Sequence, residues 1–241
     1  MSEDERLVVV ARELLGPPDT WRPMPPGYPD SLALCVLDAV WSIGVRYEAV
    51  ENVVSRYREC RRAEGGDADH DGVSDLLRHI RLNDGPDRFA DRLANQQRVS
   101  TRPGAPRKAE AVHRAAEALS EAVIETVEDL RAAATGPHEG RVKGAWLSVP
   151  GQRSGISWRY LLMLARLPGV KPDRMICRFV ARALGRDRVA PAEAVTLVVR
   201  AAERLDVSPT ALDHEIWRYE RKSRRRVATT SMPAERRGMR C

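Results

Sequence analysis

The amino-acid sequence predicts an all-α protein on three observations. Aromatic residues make up only 5% of the 241 positions and two of them are phenylalanine, so the core has to be built from Ala, Leu and Val. Ala and Leu favour helices, whereas aromatic and β-branched residues favour strands. Apolar residues recur at helical spacing, and no segment alternates apolar and polar residues as a half-buried strand would. We therefore expect about ten helices.

Seven helices are expected in the first part of the chain, and several have recognisable ends. The tetrapeptide Tyr28-Pro29-Asp30-Ser31 is a start signal before the apolar run that opens at Leu32. Thr126 stands as a cap with Asp129 at the third helical position, and Gly136-Pro137 ends that helix. The predicted spans are 5–15, 32–40, 47–63, 73–82, 86–95, 109–123 and 126–134.

Four more helices are expected at 157–166, 173–185, 191–205 and 209–222. Pro191 fits the first turn of the third of these, and Ser208 is the cap of the fourth. The tight turn Leu167-Pro168-Gly169-Val170-Lys171-Pro172 joins the first two. Helix, glycine turn and helix together predict a helix–hairpin–helix element over 157–185, within a single all-α domain that covers residues 1–220.

The hairpin turn has the features of an anion-binding site. Gly169 offers a backbone without a Cβ where another chain has to come close, and Pro172 suits the first position of the helix that follows. Backbone N–H groups at a helix N-terminus bind anions, and Lys171, Arg174 and Arg178 add positive charge on that side. The alternative is a helix corner that Pro-Gly turns for packing alone.

The helical segments on both sides of the hairpin turn follow one another in a characteristic order. The span 30–57 holds two helices with Trp41-Ser42-Ile43-Gly44-Val45-Arg46 between them, Arg107-Lys108-Ala109 opens a later helix, and Leu184-Gly185 ends the helix after the hairpin turn. In these segments residues 29–219 resemble the helix–hairpin–helix DNA glycosylase superfamily of the endonuclease III type. The resemblance implies a helical glycosylase-like fold and binding to double-stranded DNA. It also implies that Ile43 lies in a turn that fills the gap left by a flipped base.

The chain departs from the pattern of this superfamily at three places. Lys171 replaces the hairpin's usual second glycine, and Asp173 stands where bifunctional members carry a lysine nucleophile. The aspartate that follows the second hairpin helix is missing from 189–195, where Glu193 is the nearest carboxylate. The resemblance thus implies a monofunctional glycosylase without lyase activity, with Glu193 as the candidate catalytic residue. An acid is also favoured near the start of a helix by the dipole alone, which is the alternative role of Glu193.

The expected function is that of a DNA glycosylase of the base-excision-repair type. Gln152, in a glycine-containing loop before the hairpin, is suited to reading the edge of a base. Two alternatives stay open: a non-catalytic DNA-binding protein that has lost the catalytic aspartate, and a small-molecule activity in the same pocket that uses Gln152 and Asp173. The predicted DNA contacts are Gly169, Val170, Lys171, Arg174, Ile43 and Gln152.

No cofactor or metal site is expected. The four cysteines, Cys35, Cys60, Cys177 and Cys241, are too far apart for a metal knuckle or an iron–sulfur cluster. The acidic segment 67–75 matches the opening of a calcium loop, but Arg78 stands where the loop needs its bidentate acid. A solvated acidic loop is therefore the better interpretation.

The sequence predicts a cytoplasmic monomer. No apolar run is long enough to span a bilayer, and the N-terminus is acidic rather than signal-like. The net charge of +6 belongs to the C-terminal segment: residues 221–241 contain eight basic residues and one acid, a net +7, so residues 1–220 sum to −1. We expect this segment to be a disordered basic tail that attracts polyanions, or one that simply aids solubility.

Overall fold

The computed structural model describes the backbone of residues 1–230 and the side chains of residues 1–222. Over this part of the chain the secondary structure is helical, with one isolated antiparallel bridge between Arg98 and Arg107, and the all-α prediction is confirmed. A 3-10 turn covers Pro18–Thr20. The described α-helices are α1 (Glu3–Leu15), α2 (Leu32–Trp41), α3 (Tyr47–Ala63), α4 (Val73–Leu82), α5 (Pro86–Arg92), α6 (Lys108–Glu121), α7 (Val127–Thr135), α8 (Glu139–Ser148), α9 (Ile156–Leu164), α10 (Arg174–Leu184), α11 (Pro191–Arg204) and α12 (Pro209–Thr230).

The described residues form two compact units, each with its own apolar core. The central unit is Pro25–Gly169 and contains α2 to α9. The terminal unit is Met1–Met24 together with the described residues from Val170 onward, and it contains α1 and α10 to α12. The boundary falls inside the predicted hairpin, so α9 and α10 belong to different units. The single domain expected over 1–220 stays a prediction.

Helix α2 forms the middle of the central unit. All its residues are buried, and α3, α4, α6 and α9 pack against it. Ser31 begins the helix, because its hydroxyl accepts the N–H of Leu34 at 3.2 Å. Enclosure on all sides suits the apolar composition of the helix, and it also buries the helix's one charged residue, Asp38, completely.

The terminal unit consists of four helices that pack against one another, α1, α10, α11 and α12. Each places an apolar stripe toward a shared core, as helical periodicity requires. Helix α1 begins at a capping box in which Ser2 accepts the N–H of Glu5 and the Glu5 carboxylate accepts the N–H of Ser2. The core residues include Leu7, Ile176, Phe179, Val198 and Ile216.

Cap residues predicted the ends of several helices correctly. The Thr126 hydroxyl accepts the N–H of Asp129 at 3.1 Å, and the Asp129 carboxylate accepts the N–H of Thr126 at 2.8 Å. Ser208 accepts the N–H of Ala211 at 3.1 Å at the start of α12. Helices α3 and α4 begin and end at the predicted residues.

Helix α8 was missed by the sequence prediction. It contains Gly140 and Gly144, and glycine lowers intrinsic helix propensity, so its local signal is weak. Val142 and Trp146 point from it into the core of the central unit, where both are 0% exposed. Tertiary packing rather than propensity forms this helix.

Helix α12 extends beyond its predicted end at residue 222, and its backbone is helical through Thr230. The backbone of 221–230 therefore belongs to α12, and the disordered basic tail expected over 221–241 stays a prediction. The rest of the predicted tail, 231–241, lies outside the described residues. None of the helices in the described part of the chain is long and apolar enough to cross a membrane.

Candidate functional site

Three tyrosine hydroxyls surround a buried carboxylate in the central unit. One carboxylate oxygen of Asp38, on α2, accepts hydrogen bonds from the hydroxyls of Tyr28 at 3.0 Å and Tyr47 at 3.2 Å. Tyr160, on α9, lies near the same carboxylate, which contributes to raising the pKa of its phenol. Asp38 is 0% exposed, whereas the three tyrosines are half-buried. These four residues are named the Asp38 cluster.

The tyrosines of the Asp38 cluster act as neutral donors. Burial, and then the negative charge of Asp38, raise the pKa of Tyr28, Tyr47 and Tyr160 well above the ordinary phenol value. Protonated hydroxyls can donate hydrogen bonds to the carboxyl oxygen of Asp38. The cluster therefore places a carboxyl group behind three aromatic rings, and an ionised carboxyl in such a place stabilises positive charge that develops on a bound molecule.

The turn that follows α2 is held in place by a buried lysine. Lys108, at the start of α6, is 1% exposed, and its ammonium donates hydrogen bonds to the carbonyl oxygens of Trp41 and Ile43, both at 2.7 Å. A cation is favoured at a helix C-terminus, where carbonyl groups lack intrahelical partners. Burial lowers the pKa of Lys108 to about 8. Ile43, predicted at the base gap, lies half-buried in this turn.

Gln152 is buried in the loop between α8 and α9. Its side chain is 0% exposed, and its amide nitrogen donates to the carbonyl of Pro150 at 3.2 Å. Its side-chain oxygen has no protein partner among the described residues. The proposed contact between Gln152 and a base edge therefore requires this loop to open.

One backbone N–H group of the hairpin turn donates a hydrogen bond to a side chain of the terminal unit. The backbone N–H of Lys171 donates to the carboxyl of Asp213, on α12, at 2.9 Å. Val170 packs its side chain into the terminal core and is 1% exposed. The backbone of Gly169 packs closely against Met163, since a Cβ at this position would lie 3.2 Å from the Met163 Cγ. An amide predicted to face a phosphate thus faces a protein carboxyl.

Asp213 is a strongly perturbed acid beside this turn. It is 6% exposed, and burial raises its pKa to about 8, although the hydrogen bond from Lys171 acts in the opposite direction. The charge of Asp173 raises the pKa of Asp213 further. Its protonation therefore changes near neutral pH, in contact with the hairpin backbone.

The N-terminus of α10 is also capped by a carboxylate. One side-chain oxygen of Asp173 accepts the N–H of Met175 at 2.7 Å and that of Ile176 at 3.3 Å. Arg174 is the first residue of the helix and is exposed. Asp173 thus places negative charge where the family resemblance puts a lysine nucleophile.

Glu193 lies in the first turn of α11 and takes part in a surface ion network. Its carboxylate pairs with Arg186 at 2.7 Å, and Arg186 also contacts Glu3. The Glu193 side chain is 38% exposed. Exposed pairs of this kind contribute little to stability. The catalytic role of Glu193 stays a prediction.

The acidic loop before α4 is organised around a buried ion pair. Asp71 is 3% exposed and accepts from Arg61 at 2.6 and 3.0 Å and from the hydroxyl of Tyr57 at 2.7 Å. This acid stands at the fifth position of the calcium-loop pattern, and it is engaged by a guanidinium instead. The solvated-loop interpretation is therefore wrong at Asp71. In the described part of the chain, no group of three or more His, Cys, Asp or Glu is placed to hold a metal ion.

The predicted site residues are divided between the two units. Val170, Lys171 and Arg174 adjoin in the terminal unit, which also contains Glu193. The central unit contains Ile43, Gln152 and Gly169.

A family model described as "Domain of unknown function (DUF8548)" matches residues 5–221. The chain belongs to this family. The DUF8548 match begins in α1 and ends in α12, so it includes both units and the whole hairpin segment. No curated protein and no solved structure matches the chain.

Sequence reasoning missed the Asp38 cluster and Asp213. Asp38 did carry a signal, because it is the one charged residue in the otherwise apolar segment Leu32–Trp41, and such an acid is buried if the helix is enclosed. Its partners come from distant segments, so their convergence has no local pattern. Asp213 has no local signal either, because its contact with Lys171 spans 42 residues.

Proposed function

We propose that this DUF8548 protein binds duplex DNA and acts as a monofunctional DNA glycosylase on a flipped base, with Asp38 as its carboxylate. The observation that supports this assignment is the Asp38 cluster, a carboxylate with 0% exposure held by neutral phenols. Cleavage of an N-glycosidic bond passes through a cationic sugar, and a carboxylate in a low-dielectric site stabilises that charge. Glu193 is solvent-exposed and paired with Arg186, which makes it the weaker candidate.

The proposed reaction is a hydrolysis. The bond between the base nitrogen and C1′ breaks, and the base leaves with the bonding electron pair and takes up a proton. A water oxygen forms the new bond to C1′ and releases a proton to Asp38, so the product is an abasic site in an intact strand. The half-buried rings of Tyr28, Tyr47 and Tyr160 offer aromatic surface to the base, which displaces a hydroxyl to reach Asp38.

The turn after α2 supports the same function. Apolar side chains such as Ile serve as wedges between base steps, and a wedge needs a rigid backbone. Lys108 supplies that rigidity through two hydrogen bonds of 2.7 Å to the carbonyl groups of Trp41 and Ile43. Asp38 lies on α2 itself, so the carboxylate and the wedge belong to a helix and the turn that directly follows it.

Asp173 supports hydrolysis without lyase chemistry. The corresponding position in bifunctional relatives of the resembled superfamily carries a lysine, whose amine forms a Schiff base with the sugar. Here the side chain is a carboxylate that accepts N–H groups of α10. We therefore expect intact strands until alkali is added.

The test is incubation of the full chain with a panel of damaged and modified duplexes, followed by alkali to reveal abasic sites. Asp38→Asn keeps an acceptor for the phenols but removes the charge, and we expect it to lower the cleavage rate about 100-fold or more. Glu193→Gln tests the competing carboxylate in the same assay. If Glu193→Gln abolishes cleavage and Asp38→Asn does not, the assignment of Asp38 is overturned.

A non-catalytic DNA-binding protein is the second candidate. The 0% exposure of Asp38 favours it, because a substrate reaches this carboxylate only after a tyrosine hydroxyl has moved away. In that case no duplex in the panel acquires abasic sites, while binding to DNA is retained and weakens with salt. This outcome would remove the glycosylase and leave the binding function.

A further inference from the structure

Helix α10 is a wholly cationic element. Its segment Arg174–Leu184 contains three arginines and no acid, and the arginines recur every four residues at Arg174, Arg178 and Arg182. Residues four apart lie on one face of a helix. The opposite face contributes Phe179 to the terminal core. The arginines therefore form an outward row along the helix.

A buried glutamate on α12 fixes two of these arginines. Glu220 is 1% exposed, and its carboxylate pairs with Arg178 at 3.3 Å and with Arg182 at 2.8 Å. The two arginine side chains are 40% and 42% exposed, so each is anchored at one side and open to solvent at the other. One negative charge against two positive charges leaves the junction of α10 and α12 cationic. The anchoring also reduces the rotamer entropy that a ligand would otherwise have to overcome.

Aromatic rings lie among these cations. The guanidinium of Arg182 lies 5.8 Å from the centre of the Tyr219 ring, and that ring meets Phe179 edge-on at 5.9 Å. Arg221 lies 5.1 Å from the centre of the Trp217 ring. Arginine stacked on aromatic residues offers donors for phosphate and flat surface for bases.

The positive charge continues along α12. Arg221 and Lys222 follow Glu220 directly, and the helical backbone extends to Thr230 through a sequence with three more arginines, Arg224 to Arg226. No acid occurs between Arg221 and Thr230. The sequence after Glu220 therefore adds positive charge, and the backbone that carries it continues α12.

We propose that the α10–α12 face, formed by Arg174, Arg178, Arg182, Trp217, Tyr219 and Arg221, binds the phosphate backbone of DNA. The inference rests on the proposed function, and it gives the terminal unit its own contact with the nucleic acid. Binding is by side-chain guanidinium groups, which match phosphate geometry in a planar, two-pronged manner. The hairpin amide of Lys171 and the first amides of α10 are occupied by Asp213 and Asp173.

The composition of this face favours nucleic acid over a lipid surface. A helix that lies on a membrane presents large apolar side chains beside its basic ones. Among the described side chains, the exposed large hydrophobic residues belong to other parts of the chain: Met1, Val9, Met24, Leu82 and Val123. A charged face whose large apolar side chains are at least half-buried fits a polyanion whose counterions are released on binding.

The test compares two double charge reversals in the full chain. Arg174→Glu with Arg221→Glu alters the α10–α12 face and spares the pairs with Glu220. Arg188→Glu with Arg200→Glu makes the same change in net charge at exposed positions outside α10 and α12. Fluorescence anisotropy with a labelled duplex, measured over a range of salt, reads out affinity and its salt dependence.

We expect the first pair to weaken binding about tenfold or more and to reduce the slope of log K against log salt by about 2. The control pair should change neither value appreciably. Equal losses in both variants would mean that general charge, and not this face, governs binding, and the proposal would be overturned. It would also be overturned if the first pair weakened binding to phosphatidylserine vesicles and left duplex binding unchanged.

A third variant removes Arg178 and Arg182 together with Glu220, so that no buried carboxylate is left without its partners. Arg178→Gln, Arg182→Gln and Glu220→Gln together lower the net charge by one and should also weaken duplex binding. The abasic-site assay separates this inference from the proposed function. If abasic sites form and the α10–α12 variants bind DNA like the wild type, the proposed binding face is refuted and the proposed glycosylase activity is retained. If no abasic sites form but the α10–α12 variants selectively lose DNA binding, the glycosylase activity is refuted and the binding face is retained.

Discussion

Several ionisable side chains in this protein are buried, and three of them have different kinds of hydrogen-bond partner. Lys108 donates to two carbonyl groups at the end of α2, Asp38 accepts from the phenols of Tyr28 and Tyr47, and Asp213 accepts a backbone N–H and has a raised pKa. A buried charge is tolerated only with such partners. Since these partners are fixed by the fold, protonation of Asp213 is coupled to stability.

Asp213→Asn should make stability less dependent on pH. The pKa of Asp213 rises from 3.8 to about 8 on folding, so the folded state binds the proton more tightly in that interval. The free energy of unfolding of the wild type should then fall as pH rises from about 4 to about 8, by at most about 1.4 kcal/mol per pH unit. Asparagine keeps an oxygen for the Lys171 N–H and has no proton to lose.

Urea unfolding from about pH 5 to about pH 9 measures this effect. The advantage of Asp213→Asn over the wild type should grow with pH and level off above the folded pKa. Asp206→Asn, at an exposed turn after α11, is the matched control and should follow the wild type. Parallel profiles for all three proteins would contradict the raised pKa of Asp213.

At the scale of elements, helix ends carry much of the local specificity. Hydroxyl and carboxylate caps at Ser2, Ser31, Thr126 and Asp173 each satisfy N–H groups that the helix itself leaves unpaired. For α10 the cap is a carboxylate that also benefits from the helix dipole. The same residue that stabilises the helix thereby competes with anions for its N-terminus.

Asp173→Ala should destabilise the terminal unit by about 1 kcal/mol, because the N–H groups of Met175 and Ile176 lose their acceptor. Asp173→Asn retains an acceptor and should lose much less. Asp187→Ala, an exposed aspartate just after α10, is the control and should be close to neutral. Denaturant unfolding gives all three values, and equal losses for Asp173→Asn and Asp173→Ala would show that charge rather than hydrogen bonding matters.

At the scale of the whole molecule, charge is distributed unevenly. The net charge of the whole chain is +6. Residues 221–241 have a net charge of +7, and residues 1–220 have a net charge of −1. Binding to a polyanion should therefore depend on this segment in addition to the α10–α12 face. The segment begins with Arg221, which belongs to that face, and with Lys222.

Truncation after Lys222 removes six basic residues and one acid. We expect weaker duplex binding and a shallower salt dependence, both measured by fluorescence anisotropy. The matched control keeps the full length and replaces the same six basic residues with glutamine, so it should bind as weakly as the truncated chain. Undiminished affinity in either variant would show that the tail serves solubility alone.

The helices themselves could be predicted from the sequence, because apolar periodicity, proline and cap residues act within a few positions. The bounds of α3 and α4 and the caps at Thr126 and Ser208 follow from such local signals. Helix α8 could not be predicted, since its glycines weaken the local signal and packing of Trp146 supplies the stability.

Local sequence signals thus specify the all-α class, the position of the hairpin turn and the concentration of charge at the C-terminus. Which carboxylates are buried, and which partners they contact, depends on tertiary packing. Tyr28, Tyr47 and Tyr160 meet Asp38 only after three separate segments pack on α2, and Asp213 reaches Lys171 across 42 residues. Glu220 likewise becomes an anchor only when α12 packs on α10. Local periodicity fixes where a helix forms, whereas the environment of a charge depends on residues that are distant in the chain.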